Sequence, residues 1–266
     1  VGNIHKFAVI TDSTVEPLYG RQVCDRLNEA GAQAELFVFP AGEKSKVRKT
    51  KEMLEDAMLA KGFRRDCCVV AVGGGVVSDL AGFVAGTFGR GVPFVNYATT
   101  LLAAADASIG GKTAVDTDLA TNLIGLIYQP KKVYVDIDTW KTLPKKVYVD
   151  IDTWKTLPKN HLVNGMAETI KHACLADFEL FEYIEKNIDK ILQCNPEACE
   201  YISERNCNVK YQVVMKDEKE KSLREILNLG HTVGRAIETV SDYKLLHGEA
   251  LSIGMVAQVT LGCKLG

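Results

Sequence analysis

The sequence lacks any apolar run of membrane-spanning length, and no signal-peptide pattern opens it. Neither a transmembrane helix nor a secretory leader is therefore expected. It also lacks a dominant charge: 32 Lys and Arg stand against 34 Asp and Glu, for a net charge of −2. Without a basic field to track a phosphate backbone, nucleic acid is excluded as an expected partner. The eight cysteines, at 24, 67, 68, 174, 194, 199, 207 and 263, form no C-x-x-C pair and no zinc-knuckle spacing. Scattered thiols in a chain of this length point to a reducing compartment, the cytoplasm, or a plastid in a plant or alga. What is present is ordinary: 47% hydrophobic and 25% charged residues suit a globular protein with a substantial core. The first residue is Val and the last lies in an apolar helical stretch, so the chain reads as a fragment or a trimmed form.

Short apolar runs rich in β-branched and aromatic residues occupy 7–11, 34–39, 67–72 and 93–97, with helical patterns over 17–31, 45–62 and 76–86 between them. Strands alternating with helices predict a parallel sheet covered by helices. Beyond about residue 159 the pattern becomes helical throughout, with runs at 176–193, 196–214 and 223–240. The expected fold is α/β: a Rossmann-like domain over residues 1–158 and an all-helical domain over 159–266, incomplete at its C-terminus.

"KKVYVDIDTWKTLP" fills 131–144 and recurs unchanged at 145–158. Architectural repeats diverge and come in larger numbers, so this single perfect copy reads as a recent duplication or an assembly error. A sheet has one slot for VYVDI, so one copy is expected to fill it and the other to bulge out or pair at an edge.

In "VVAVGGGVVSDLAGFVAG" (69–86) a buried strand meets a glycine turn and a helix start. Glycines admit a close ligand approach and a helix N-terminus favours a diphosphate. Ser78 stands where the third glycine of G-x-G-x-x-G would be, so the dinucleotide fingerprint itself is absent. A tight turn without a ligand is the competing reading. The next segment, 99–122, punctuates small residues with Asp106, Lys112, Asp116 and Asn122. Lys112 after two glycines presents either a point charge for a phosphate or a plain surface cation.

Arg224, Asn228, His231, Arg235 and Glu238 fall at spacings of 4, 3, 4 and 3, which predicts one helix face. Such a stripe is most often a solvated face, but a histidine and two arginines without lysine suit an anion-binding wall. A catalytic zinc takes three N or O ligands and keeps an open position. His231 and His247, sixteen residues apart, supply two of these from separate segments. The best carboxylate is Glu168 in "NGMAETIKHA", with Lys171 one turn on and His172 as a rival ligand.

With "GEKSK", "GGGVVSDLAGFVAGTFGRG", "ATTLLAAADASIGGKTAVD", "LPKNHLVNGMAETIKHA" and "LREILNLGHTVGRAIE…LHGEA" in order along the chain, the sequence resembles the 3-dehydroquinate synthase family, and more broadly the sugar phosphate cyclases. The resemblance implies a homodimer that uses NAD and a divalent metal, Zn2+ or Co2+, with the active site between two domains. It implies Glu168, His231 and His247 as metal ligands. It implies NAD contacts from Asp12, Glu43, Lys46, Gly74, Gly75, Asp79, Thr99, Thr100, Lys112, Thr153 and Thr156. Substrate contacts would be Arg90, Asp106, Lys112, Asn122, Lys171, Lys210, Arg224 and Asn228. The implied reaction turns 3-deoxy-D-arabino-heptulosonate 7-phosphate into 3-dehydroquinate and phosphate, a step of aromatic amino acid biosynthesis, with NAD recycled.

The chain departs from the family at Arg235, where a histidine is usual, at Thr121, where a lysine is usual, and at Asn160-His161. Arg235 keeps a positive charge but does not exchange protons near neutral pH. Three other readings compete: a sibling cyclase acting on another sugar phosphate, a metal-dependent polyol dehydrogenase, and a truncated chain that folds without turning over.

Overall fold

The computed structural model describes residues 4–134, 151–242 and 244–265. Two compact units emerge, one of Val1–Thr99 and Ala107–Asp150, the other of Thr100–Asp106 and Ile151–Gly266.

The first unit alternates β1 (Lys6–Asp12), α1 (Arg21–Glu29), β2 (Gln33–Phe39), α2 (Arg48–Ala60), β3 (Cys67–Gly73), α3 (Gly75–Thr87) and β4 (Phe94–Ala98). Among the described residues the parallel sheet has the order β2-β1-β3-β4-β7, with β7 at Lys132–Tyr134. The alternation seen in the sequence explains the two cores. Ala8 and Ile10 of β1 join Phe37, Phe39, Leu54, Met58 and Leu80 on one face, while Val9 joins Cys24, Val70 and Val72 on the other. Burying each Val, Leu, Ile, Phe or Met among them contributes about 2 kcal/mol. β3 is buried at every position, as a central parallel strand covered on both faces must be.

An antiparallel hairpin, β5 (Lys112–Thr117) and β6 (Ala120–Ile127), packs on α3. The sequence reading missed it, because "GGKTAVD" and "ATNLIGLI" carry glycines and polar residues that mask the period of two. A Cβ at Gly82 would meet Phe94 at 3.3 Å and press closer still on Thr113, so the glycine permits this packing. The pairing shifts register between Val115 and Thr117, so that Asp116 alone faces three residues of β6, 121–123.

Of the duplicated segment, Lys132–Tyr134 of the first copy forms the strand beside β4. The rest of that copy and the start of the second lie outside the described residues, and so does the expectation that one copy bulges. Ile151–Thr156 is a 3-10 segment.

The second unit holds α4 (Lys159–Ala176), α5 (Phe178–Leu192), α6 (Pro196–Lys216), α7 (His231–Val240) and α8 (His247–Leu265). α5 and α6 start at side-chain caps, Asp177 accepting from the Leu180 N–H at 3.0 Å and Asn195 from the Ala198 N–H at 3.1 Å. Among the described residues no helix is long and apolar enough to cross a membrane.

One expectation fails here. Residues 223–240 are not a single helix: Leu223–Asn228 is a 3-10 segment, and α7 begins afresh at His231. The cause is Gly230, whose backbone is left-handed at φ 82°. Arg224 and Asn228 therefore do not continue the face that carries His231, Arg235 and Glu238.

Candidate metal and substrate site

Three elements of the second unit deliver the metal-ligating group. Glu168 lies midway along α4 and is fully buried. His231 and His247 are the first residues of α7 and α8. They converge because glycines let the helices meet at backbone distance. A Cβ on Gly248 would run into the Asn164 backbone, one on Gly254 into Gly230, and one on Gly234 would meet the Leu251 backbone at 3.2 Å. Asn164 Oδ1 accepts the Gly248 N–H and fixes the start of α8 on α4.

His247 Nε2 lies 3.0 Å and His231 Nε2 3.4 Å from the same oxygen, Glu168 Oε1. The ring centroids are 5.3 Å apart. On the far sides, His247 Nδ1 is 2.8 Å from Glu238 Oε1 and His231 Nδ1 is 3.3 Å from the Leu229 carbonyl. Each Nδ1 has an acceptor of its own, which leaves both Nε2 atoms facing the same carboxylate oxygen. With a cation present, each Nε2 would offer it a lone pair beside that oxygen. Without a cation, burial would keep His247 neutral, but its bonds to Glu168 and Glu238 outweigh burial and push it up to about 10. One carboxylate and two imidazoles are the donor set of a catalytic zinc site, so the residues fit a divalent metal.

Burial would raise the Glu168 carboxyl, yet the Lys171 ammonium and the two histidines hold it well below the usual range. Lys171, itself buried, pairs with Glu168 Oε2. Beside it, Lys210 donates to both the carboxylate and the carbonyl of Asp106. Burial works against the charge on both partners, and the pairing keeps Asp106 ionised.

Asp106, Glu168 and His172 also lie close enough to suggest a cation. Two ammonium groups already neutralise that cluster. His172 is held elsewhere, its Nδ1 2.7 Å from Asn206 Oδ1, and burial followed by the Lys171 charge lowers it to about 4. The trio with two histidines is the better metal set. Arg224 is buried, donating to the Glu218 carbonyl at 2.8 Å, while Asn228 donates to Glu220 at 2.9 Å. Arg235 is exposed.

The first unit gathers a second group. Gly74 and Gly75 open α3, whose first turn carries no acidic residue and no side-chain cap, leaving N–H donors for an anion. Thr99 Oγ1 is buried with no hydrogen-bond partner among the described residues. These features fit a dinucleotide phosphate. Lys46, nearly inaccessible, lies 2.8 Å from Glu43, 3.2 Å from Asp79 and 3.9 Å from Asp116. Asp12 Oδ1 accepts the Thr14 and Val15 N–H groups and shapes the loop after β1. Arg90 and Asn122, both exposed, take left-handed backbone at φ 68° and 56°, and Lys112 opens β5. Thr100, at the head of the Thr100–Asp106 segment, belongs to the second unit. So do Thr153, buried, and Thr156, whose hydroxyl donates to the Thr153 carbonyl at 2.8 Å.

The sequence reading did not assign the supports Glu238, Asn164 and Asn206. Glu238 carried a signal, standing seven residues, two turns, after His231. The other two gave none.

Comparison with known proteins defines first a class. Solved structures that share the fold include 2-epi-5-epi-valiolone synthase from Streptomyces hygroscopicus with NAD+ and Zn2+ bound: TM-score 0.83, 32% identity, 95% of this chain and 67% of that one. They also include 2-deoxy-scyllo-inosose synthase complexed with carbaglucose-6-phosphate, NAD+ and Co2+: TM-score 0.87, 27% identity, 99% and 69%. A glycerol dehydrogenase from Schizosaccharomyces pombe shares the architecture at TM-score 0.64, with only 16% identity. The chain thus has the fold of the sugar phosphate cyclases.

Within that class the profile of the 3-dehydroquinate synthase N-terminal region matches residues 36–150 and that of the C-terminal region matches 165–266. Curated 3-dehydroquinate synthases from Acetivibrio thermocellus and Caldanaerobacter subterraneus are each 43% identical over 98% of this chain, which spans 68% and 70% of their lengths. The chain belongs to the 3-dehydroquinate synthase family.

Proposed function

We propose that the chain is a carbon–oxygen lyase that converts 3-deoxy-D-arabino-heptulosonate 7-phosphate to 3-dehydroquinate and inorganic phosphate. The observation that carries this reading is the convergence of Glu168, His231 and His247 on one point, with Lys171 closing the carboxylate from behind. Those residues would hold Zn2+ or Co2+. NAD+ would rest on Gly74 and Gly75 at the head of α3, with Asp12, Glu43, Lys46, Asp79, Thr99 and Lys112 of the same unit; the family resemblance adds Thr100, Thr153 and Thr156 as contacts. When bound, the metal supplies Lewis acidity towards a substrate hydroxyl and NAD+ supplies reversible hydride uptake.

The chain's own residues do the rest. Lys171 fixes which Glu168 oxygen faces the histidines, and Glu238 orients His247. Lys210, held by Asp106, and Arg224 meet the negative charge of a keto-acid phosphate in a buried setting, where each charge acts strongly. Arg90, Lys112, Asn122 and Asn228 complete the substrate contacts. A substrate hydroxyl would take the place of Glu220 on Asn228, which orients the sugar.

All eight cysteines are free thiols, which supports a reducing, cytoplasmic setting. A homodimer is proposed from the family resemblance. The test is product identity. Incubation with the heptulosonate phosphate, NAD+ and Zn2+ is expected to yield 3-dehydroquinate, with glucose 6-phosphate and a sedoheptulose phosphate left unchanged. Turnover of either comparator in preference would assign the chain to a sibling cyclase activity.

A further inference from the structure

Asp116 sits opposite the register shift of the β5–β6 hairpin, in the polar-punctuated stretch that the sequence singled out, and it has no part in the function described above. The two carboxylate oxygens of Asp116 serve different partners. Oδ1 accepts the Asn122 N–H at 2.7 Å. Oδ2 lies 3.9 Å from the Lys46 ammonium, which also binds Glu43 and Asp79. The Asp116 N–H donates to the Lys46 carbonyl at 2.6 Å, so this point of β5 is pinned to Lys46 through the backbone as well.

Asn122 is placed by its bond to Asp116. Its φ of 56° is left-handed, a conformation that Asn reaches more readily than most L residues but that still has to be fixed at this one point of β6. The bond to Asp116 spans the hairpin turn and fixes it. One carboxylate therefore ties the residue proposed to meet the sugar to the ammonium proposed to order the cofactor's surroundings. Lys46, Glu43, Asp79, Asp116 and Asn122 all belong to the first unit.

We propose that Asp116 is a positioning residue that links the cofactor-side Lys46 to the substrate-side Asn122, so that each sets the geometry of the other. The proposal rests on the cyclase reading for the roles of Lys46 and Asn122. Two substitutions separate its halves. Asp116→Asn keeps an oxygen for the Asn122 N–H but removes the charge facing Lys46. Asp116→Ala removes both.

In the full chain with Zn2+, Asp116→Ala is expected to raise the KM for the sugar phosphate about tenfold, the loss of one charge-assisted hydrogen bond, while kcat falls far less. It also weakens NAD+ binding. Asp116→Asn recovers most of the KM loss while NAD+ binding stays weak, a split that a merely structural residue would not give. Parental KM and NAD+ affinity in Asp116→Ala, or both constants failing together in both variants, would overturn the proposal.

If the parent chain itself releases no phosphate, the cyclase reading fails separately, and amide hydrogen exchange still decides this one. Asp116→Ala strips the Asn122 amide of protection and Asp116→Asn keeps it; undiminished protection in Asp116→Ala contradicts the link. If Asp116→Ala does not fold, Asp116→Asn alone decides, through weaker NAD+ binding with Asn122 still protected. Unchanged NAD+ binding there overturns the link.

Discussion

Glu238 Oε1 lies 2.8 Å from Nδ1 of His247, while Nε2 of the same ring lies 3.0 Å from Glu168 Oε1. A carboxylate behind an imidazole fixes its tautomer and raises its basicity. Glu238→Gln is therefore expected to lower Zn2+ affinity by about tenfold or more. Isothermal titration with Zn2+ checks this, and an unchanged affinity would mean that Glu238 does not orient the ligand.

Lys171 and Glu168 form an ion pair with both side chains buried. Removing one partner leaves the other charged in a low-dielectric site, at a cost of about 3 kcal/mol or more. Metal-free Lys171→Met is expected to show that loss in urea unfolding. Added Zn2+ returns part of it by supplying another positive charge to Glu168. A variant as stable as the parent without metal would contradict the pairing.

Gly248 has no room for a methyl group, because Asn164 backbone atoms stand where its Cβ would go. Gly248→Ala is expected to push α8 off α4, destabilise the chain by about 1–3 kcal/mol as overpacking does, and move His247 off Glu168. Circular dichroism melting and Zn2+ titration should fail together. Loss of stability with intact Zn2+ affinity would show that the glycine does not place the histidine.

The α/β alternation was legible in the sequence because apolar runs and helical stretches of ordinary length alternate cleanly. The strands at 7–11, 34–39, 67–72 and 93–97 form within a residue or so of where they were read. The β5–β6 hairpin was not legible, since its packing on α3 depends on Gly82, whose use shows only in three dimensions. At the metal site the residue types were legible and their geometry was not. Spacing read Arg224 to Glu238 as one face, but left-handed Gly230 breaks the helix there. That break is what makes His231 the first residue of α7. Glu168 carried a signal as a lone carboxylate beside Lys171, whereas Asn164, which fixes α8, looks like any helix asparagine.

Asp177 caps α5 and pairs with Arg205 through Nε at 2.7 Å. That pairing, with the cap bond, lowers its carboxyl below the ordinary carboxylate value. A carboxyl lowered on folding stabilises above its unfolded pKa of about 3.9 and loses that contribution as pH falls through the folded value. Asp177→Ala is expected to cost about 1 kcal/mol at neutral pH, chiefly for the cap, since the ion pair is screened by solvent. Unfolding followed from pH 7 downwards should show the difference from the parent closing below about pH 4. A constant difference would assign the effect to something other than the ionised carboxylate.

The most direct measurement of the cyclase reading is phosphate release from 3-deoxy-D-arabino-heptulosonate 7-phosphate with Zn2+ and sub-stoichiometric NAD+, absorbance at the NADH wavelength being followed in parallel. The account predicts phosphate well in excess of the NAD+ supplied, with no accumulation of NADH. NADH rising in step with substrate consumed, without phosphate, would make the chain a polyol dehydrogenase and contradict the account.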